Sequence, residues 1–327
     1  MLDGNEIVYG VKRKTPWFAF DRLAAADELC LDYSMAVLPP TQYLLPPEEA
    51  LAKFSVAPEL SVRGTNGAQP FTVIGVHPYD LNAINLLDAV YLGENTDTNY
   101  QDRRKAVTII GVDCLSPWPY SFAASLGTNL PSKNFDLWLT DLGDDYFIEV
   151  GSPKGEALLQ KYFKPKKAGK AEARERDARR QEALKKYELA LDISLQKMPE
   201  LLEKSWESPM WAELGEKCFA CGGCTMVCPT CVCFDVRDQM ELNLTDGQRC
   251  RLWDSCMLKG FAKVASGENF RAPGEDRLRH RIYRKNKYLR ERYGQLGCVG
   301  CGRCVHACLV DIASPVAAIN RLVKEAK

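Results

Sequence analysis

Eight of the 14 cysteines in this 327-residue chain fall into two motifs with the same spacing, C-x2-C-x2-C-x3-C. The first motif comprises Cys218, Cys221, Cys224 and Cys228, and the second comprises Cys298, Cys301, Cys304 and Cys308. Three thiolates spaced three residues apart on a tight loop reach three irons of one cubane. The fourth cysteine, carried on the helix that follows, ligates the other cluster. The two motifs therefore predict two 4Fe-4S clusters.

This exchange of fourth ligands fixes the composition of each predicted site. The first cluster takes Cys218, Cys221, Cys224 and Cys308, and the second takes Cys298, Cys301, Cys304 and Cys228. Glycines at 222, 223, 300 and 302 lie between the ligands, where positive φ angles and free N–H groups are needed. The alternative is a pair of structural zinc sites. Zinc usually takes two C-x2-C pairs separated by a longer loop, so the dense spacing favours clusters.

Four further cysteines lie between the two motifs and raise the possibility of a third metal site. They are Cys231, Cys233, Cys250 and Cys256. Their spacing, C-x-C-x16-C-x5-C, matches no pattern typical of a cubane. Because free cysteine is among the most buried residue types, a role in the core or beside the clusters is the leading interpretation. Cys30 and Cys114 are predicted to be small buried side chains.

Composition indicates an intracellular protein. The 43 basic and 43 acidic residues give a formal net charge of zero, and 46% of the residues are hydrophobic, which is enough for sizeable cores. The first residues, MLDGNEIVYGVKRK, contain no apolar leader segment, and no apolar run approaches the length of a membrane span. We therefore expect a soluble, cytoplasmic protein in a reducing compartment, without a membrane partner.

The order of the apolar segments predicts an α+β fold. Short β-branched runs at 71–76 and 106–112 read as buried strands, and the segment 80–92 between them has helical spacing. Residues 135–152 read as two strands around a turn at Gly143-Asp144. We predict an N-terminal α/β domain at 1–163, a charged helical linker at 164–207 and a ferredoxin-like dicluster module at 208–327. The segment 229–297 is an insertion in that module.

The linker also carries a predicted helix. Residues 164–186 are nearly all charged or alanine, and an apolar stripe appears only at Leu184, Tyr187, Leu191 and Leu195. The stripe predicts that this helix docks through its C-terminal half. A basic membrane-surface helix is the alternative, but acids are interleaved with its bases. Ser208-Pro209 and Ser314-Pro315 are typical of helix starts on either side of the cysteine motifs.

The segment from Arg277 to Arg292 is strongly basic. It contains eight lysines or arginines against one acid, Glu291, and alternates basic with aromatic residues. Nucleic-acid binding is one interpretation. A docking face for a partner, or a positive field beside two anionic clusters, is favoured, because the rest of the chain is neutral and the segment adjoins the second motif.

Several segments together resemble the β subunit of cytoplasmic heterotetrameric nickel-iron hydrogenases of the sulfhydrogenase type. They are CFACGGCTMVCPTCVCFDV (218–236), RLWDSC (251–256), GENFRAPGEDRLRHRI (267–282) and CVGCGRCVHAC (298–308). The A subunit of anaerobic sulfite reductase has similar motifs. The resemblance extends upstream through 43–54, 75–84 and 136–155. One departure is at 119–122, where many relatives carry Cys-Phe-Cys and this chain has Pro-Tyr-Ser-Phe.

The resemblance implies a non-catalytic subunit of a hetero-oligomeric oxidoreductase. Electrons would pass between a flavin-containing, NAD(P)-linked subunit and the small and large subunits of a nickel-iron hydrogenase, through the two clusters of this chain. An equivalent subunit of anaerobic sulfite reductase, or of another flavin-linked complex, is the first alternative. A cluster-dependent regulator that binds nucleic acid is the second. The three histidines, at 77, 280 and 306, form no catalytic set with a nucleophile.

Overall fold

A computed structural model describes residues 1–2, 6–65 and 67–326. Residues 3–5, part of the N-terminal segment in which no leader is expected, lie outside the described residues. The strands are β1 (Ile7–Lys14), β2 (Trp17–Arg22), β3 (Glu48–Ser55), β4 (Ser61–Gly64), β5 (Phe71–Val76), β6 (Val107–Val112), β7 (Leu137–Asp141), β8 (Tyr146–Val150), β9 (Phe234–Met240) and β10 (Asp246–Trp253).

The helices occupy both the N-terminal region and the cysteine-rich region. They are α1 (Pro78–Tyr91), α2 (Thr98–Ala106), α3 (Ala123–Leu126), α4 (Pro153–Tyr162), α5 (Lys170–Leu184), α6 (Met198–Lys204), α7 (Met210–Lys217), α8 (Gly223–Met226), α9 (Gly274–Tyr283), α10 (Leu289–Tyr293), α11 (Arg303–His306) and α12 (Pro315–Glu325). A π-helical turn at Arg284–Tyr288 joins α9 to α10. Short 3₁₀ helices lie at Ala26–Glu28 and Pro40–Tyr43.

A six-stranded mixed sheet forms the centre of the N-terminal region, in the order β2-β1-β5-β6-β7-β8. The four central strands β1, β5, β6 and β7 pair in parallel, and the edge strands β2 and β8 are antiparallel. Strand β6 is buried along its whole length, as its β-branched sequence predicts. The predicted β5, α1, β6 and the β7–β8 hairpin are all present, and the α+β fold class is confirmed.

A second sheet combines strands that are far apart in the sequence, in the order β4-β3-β10-β9. Strands β3 and β4 come from the N-terminal region, whereas β9 and β10 come from the segment between the cysteine motifs. A buried ion pair reinforces the β3–β10 pairing, because Arg251 Nε donates to Glu49 Oε1 at 2.7 Å. The insertion is therefore built into the N-terminal region.

Helix α5 docks through charged side chains near β7 and β8. Arg180 donates to Asp113 at 2.7 Å and also pairs with Glu149, while Arg176 Nη1 lies 3.1 Å from Glu149. The prediction that the linker helix docks through a C-terminal apolar stripe is wrong. The helix ends at Leu184, which is exposed, and Leu191 and Leu195 pack from the non-helical chain that follows.

The cysteine-rich region has its own apolar core between α6, α7, α9 and α12. It includes Met198, Leu202, Trp211, Ile282 and Leu322. Helices α7 and α9 approach so closely that a Cβ added at Gly215 would lie 2.4 Å from the backbone nitrogen of Glu275. The Ser314 side chain accepts from the N–H of Ala317 at the start of α12, as predicted, whereas α7 begins one residue after the expected Pro209 and ends at Lys217.

Candidate metal centres

The first motif forms a loop between α7 and α8 that opens onto a cavity. The cysteines that line this cavity are Cys218, Cys221, Cys224 and Cys308. Its empty volume is about 410 Å³, including open solvent at its mouth. Three of these thiols come from the first motif, and the fourth lies beyond α11 in the second motif.

The second motif, with α11, lines a neighbouring cavity. Its cysteines are Cys228, Cys298, Cys301 and Cys304. The empty volume is about 500 Å³ on the same measure. Here Cys228 is the contribution of the first motif. Each cavity thus collects three thiols of one motif and the last thiol of the other, which is the arrangement that two cubanes require.

Both motifs bend in the same way before their short helices. Ala220 and Gly222 have φ angles of 54° and 76°, and the matching Gly300 and Gly302 have 66° and 81°. The turn directs backbone N–H groups at sulfur, since Ala220 N donates to Cys218 Sγ at 3.4 Å. Donors aimed at a thiolate are a favourable environment for a bound anionic cluster.

The two cavities differ in how far they are covered by the N-terminal region. At the first cavity Cys221 is exposed, whereas at the second Cys301 is buried. The segment that carries Phe122 covers the second motif: Phe122 N donates to Gly300 O at 2.9 Å. A Cβ at Gly300 would lie 2.7 Å from Ala123 Cα, so this contact requires glycine. The segment 119–122 therefore covers part of the second cavity.

Burial has a direct effect on the thiols of the second motif. It raises the pKa of Cys298, Cys301 and Cys304 to about 12. Iron binds the thiolate and not the thiol, so filling this cavity must release protons.

A fully buried ion pair ties α11 to the N-terminal region. Arg303, between Cys301 and Cys304, donates to both carboxylate oxygens of Asp80, at 2.5 and 2.7 Å. Its Nε also donates to Ala36 O at 2.8 Å. No sequence pattern indicated this pair. Asp80 is 223 residues from Arg303, and only folding places it beside the second motif.

The basic segment from Arg277 to Arg292 forms α9, the π-helical turn and α10. Several of its cations face inwards: Arg277 and Arg281 are 3% and 6% exposed. Arg281 lines both cysteine cavities, and Lys285 lines the second. Of the roles expected for this segment, a positive charge beside the cysteine sites has the most direct structural basis.

The four cysteines of the insertion do not form one group. Cys231 contacts Cys233, and Cys233 contacts Cys256. Cys250 lies on β10 next to Arg251, and because neighbouring strand residues face opposite sides, it points away from the Glu49 side of the sheet. The set expected for a possible third site is therefore corrected to three residues at most. Within residues 1–2, 6–65 and 67–326, no three or more His, Cys, Asp or Glu side chains are arranged to hold a single metal ion.

The two cysteines outside the motifs and the insertion, Cys30 and Cys114, differ in burial. Cys114 is buried against Tyr79 and Cys301, and burial raises its pKa to about 12, in keeping with the predicted small buried side chain. Cys30 is only partly buried, with Sγ 3.1 Å from Asp32 O, so the same prediction is wrong for it.

The fit of these cavities to iron–sulfur clusters agrees with two comparisons. A family model described as a 4Fe-4S dicluster domain matches residues 217–312, a range that contains both motifs. Sulfhydrogenase 2 subunit beta of Pyrococcus furiosus is 36% identical over 307 residues, which cover 92% of this chain and 88% of that protein. The chain belongs to the sulfhydrogenase β-subunit family. Together with the 4Fe-4S dicluster match, this makes it an iron–sulfur electron-transfer subunit.

No solved structure matches the chain. In the part of the β subunit that the structure describes, no helix has the length and apolar character needed to cross a membrane.

Proposed function

We propose that this chain relays electrons through two 4Fe-4S clusters between a flavin-containing, NAD(P)-linked subunit and a nickel-iron hydrogenase module. Each cluster takes its fourth cysteine from the other motif. The first is bound by Cys218, Cys221, Cys224 and Cys308, and the second by Cys298, Cys301, Cys304 and Cys228. The clusters supply reversible one-electron storage, and the chain holds them close together in a largely apolar setting.

The observation that carries this proposal is the pair of neighbouring cavities with exchanged cysteine sets. Arg281 lines both cavities, so the two adjoin each other. The relative named as a sulfhydrogenase subunit supports a role within a larger complex and a hetero-oligomeric state.

The two cavities differ in exposure, and this difference indicates which cluster lies nearer the surface. Cys221 and the neighbouring side chains Phe219 and Leu309 are exposed, at 66% and 77% for the last two. Cys301 is buried under the N-terminal region. We therefore assign electron exchange with one partner subunit to the first cluster, because electron transfer needs a short path from the cluster to the surface.

The relay is tested on the chain purified and reconstituted without oxygen. It should contain about eight irons, accept electrons from dithionite, and neither oxidise NAD(P)H nor evolve hydrogen. Pyridine-nucleotide turnover by the isolated chain with bound flavin would show that it is an enzyme in its own right.

The partners are tested in the native complex. A nickel-bearing subunit and a flavin subunit should co-purify with this chain. Within that complex, Cys221→Ser or Cys301→Ser should stop NAD(P)-linked turnover and leave hydrogen-dependent dye reduction at the nickel site largely unchanged. Co-purification with a sulfite-reducing subunit instead would assign the chain to the related sulfite reductase complex.

A further inference from the structure

One helix carries two cations into the cysteine cavities. Arg281 lies near the end of α9 and lines both cavities, whereas Lys285 lies in the π-helical turn and lines only the second. Arg277 and Arg279, on the same helix, line neither cavity. Arg281 and Lys285 are four residues apart, about one helical turn, and only Arg281 lines both cavities.

Arg281 is a buried charge without a carboxylate partner in the described residues. Two of the other three buried arginines are neutralised, Arg303 by Asp80 and Arg251 by Glu49, whereas Arg277 donates to the backbone carbonyls of Arg271 and Ala272. Arg281 donates from Nη2 to Ala313 O at 3.1 Å, and its Nη1 has no protein hydrogen-bond partner in the part of the chain described here. A permanently charged guanidinium with a spare buried N–H is costly unless an anion accepts from it.

The anions nearest to Arg281 belong to both cysteine sets. Arg281 lines the walls of both cavities, and the thiols of Cys224 and Cys304 line the same walls. Cys224 belongs to the first cavity and Cys304 to the second. The guanidinium therefore interacts with both sites at once.

Lys285 is held towards the second cavity by the segment after the first motif. Its Nζ donates to Thr230 O at 2.6 Å and to Thr230 Oγ1 at 2.7 Å. Thr230 Oγ1 in turn lies 3.4 Å from Cys228 Sγ, the thiol that crosses to the second cavity. A π-helical turn is frequent at functional sites, and here it carries the lysine that reaches Thr230.

We propose that Arg281 is a counter-charge shared by both clusters, and that Lys285 is a second counter-charge for the second cluster alone. This inference rests on the two-cluster function proposed above. A cluster becomes more negative by one unit when it is reduced, so a fixed cation beside it favours the reduced state and raises its reduction potential. Arg281 acts on both potentials, and Lys285 acts on one.

The test uses the full-length chain, reconstituted anaerobically, with iron content measured before anything else. Both cluster potentials are then measured by redox titration followed by electron paramagnetic resonance. Arg281→Met should lower both potentials, Lys285→Met should lower the potential of one cluster only, and Arg281→Lys should stay close to wild type. Arg277→Met is the matched control, because it removes a buried cation of the same helix that touches neither cavity; it should leave both potentials in place.

Each outcome separates this inference from the two-cluster function. About eight irons per chain with potentials unchanged in Arg281→Met would overturn the shared charge and leave the function standing. A shift in Arg277→Met as large as that in Arg281→Met would overturn it as well, since a general packing effect would then explain both. Wild-type iron near four per chain would overturn the function itself, and with it a charge shared by two clusters. If Arg281→Met fails to fold, Lys285→Met decides: a shift confined to one cluster supports the inference, and equal shifts or none overturn it.

Discussion

Cys228 and Cys308 are the residues on which the arrangement of both sites depends. Each follows three cysteines that line one cavity, and each faces the other cavity. Cys228→Ser should remove the second cluster and spare the first, and Cys308→Ser should do the reverse, with a loss of about four irons in each case. Iron analysis together with Mössbauer and paramagnetic resonance spectra of the two variants measures this. Loss of the cluster of the same motif in either variant would mean that the fourth ligands are not exchanged.

His77 makes the stability of the folded chain depend on pH. It is fully buried, stacks on Tyr33 at 3.9 Å and shares a 2.7 Å hydrogen bond with Tyr79. Burial, assisted by the nearby Arg303 cation, holds the pKa of His77 well below its ordinary value of 6.5. The unfolded chain therefore binds a proton below pH 6.5 that the folded chain cannot bind, and stability is lost as the pH falls.

The expected size of this effect is about 1.4 kcal/mol for each pH unit below the unfolded pKa. Denaturant unfolding of wild type and His77→Gln, measured under nitrogen across this range, gives the two slopes. The variant should have the shallower slope, since it has no imidazole to protonate on unfolding. Parallel slopes would assign the acid sensitivity to other groups.

Some features of individual residues could be predicted from the sequence, and others could not. The identical spacing of the motifs is sufficient to group eight cysteines, because ligand spacing is a local property of the chain. The direction of a charged side chain is not local. Arg279 is partly exposed near Trp206, while Arg281, two residues later, is buried between cavities, and both appear in the sequence only as members of one basic segment.

At the scale of elements, α1 and α11 are joined by the Asp80–Arg303 pair. Asp80→Asn should leave a buried guanidinium without its counter-ion and cost about 3 to 5 kcal/mol of unfolding free energy. Asp88→Asn is the matched control on the same helix. Its partner Arg104 lies 2.9 Å away, and both side chains are 16% exposed, so water compensates part of the loss. Urea unfolding of the two variants should therefore give clearly different midpoints, and equal midpoints would argue against a structural role for the buried pair.

Elements formed by neighbouring residues were predictable, and elements formed by distant ones were not. Strand β5, helix α1 and strand β6 follow from apolar runs and spacing within about forty residues. Strands β3 and β10 pair across a separation of some 200 residues, as in the bond between Glu49 and Arg251. Neither strand has a sequence pattern that identifies the strand with which it pairs. The apolar stripe at 184–195 was misread for a related reason. Apolar residues at helical spacing also occur in a non-helical segment whose side chains pack individually.

At the scale of the whole molecule, the uncovered edge of the first cavity predicts where a partner subunit docks. Replacing Phe219 or Leu309 by glutamate should place a charge in that contact, because both side chains are exposed beside the cysteines of the first cavity. We expect weaker assembly and slower electron transfer to the partner, with iron content unchanged. Leu242→Glu is the control, since Leu242 is fully exposed on the turn between β9 and β10 and lines neither cavity. Sedimentation and stopped-flow reduction of the complex measure both effects, and a Leu242 variant that behaves like the other two would place the contact elsewhere.

The proposed exchange of fourth cysteines between the motifs would also order events during protein synthesis. Residues 218–228 leave the ribosome well before residues 298–308, and the intervening 69 residues supply strands that complete a sheet begun near residue 48. In the proposed arrangement, three thiols of the first motif would wait for Cys308, and the second motif could use Cys228 only when the chain has folded back. Iron delivery to both sites would then follow the synthesis of residue 308.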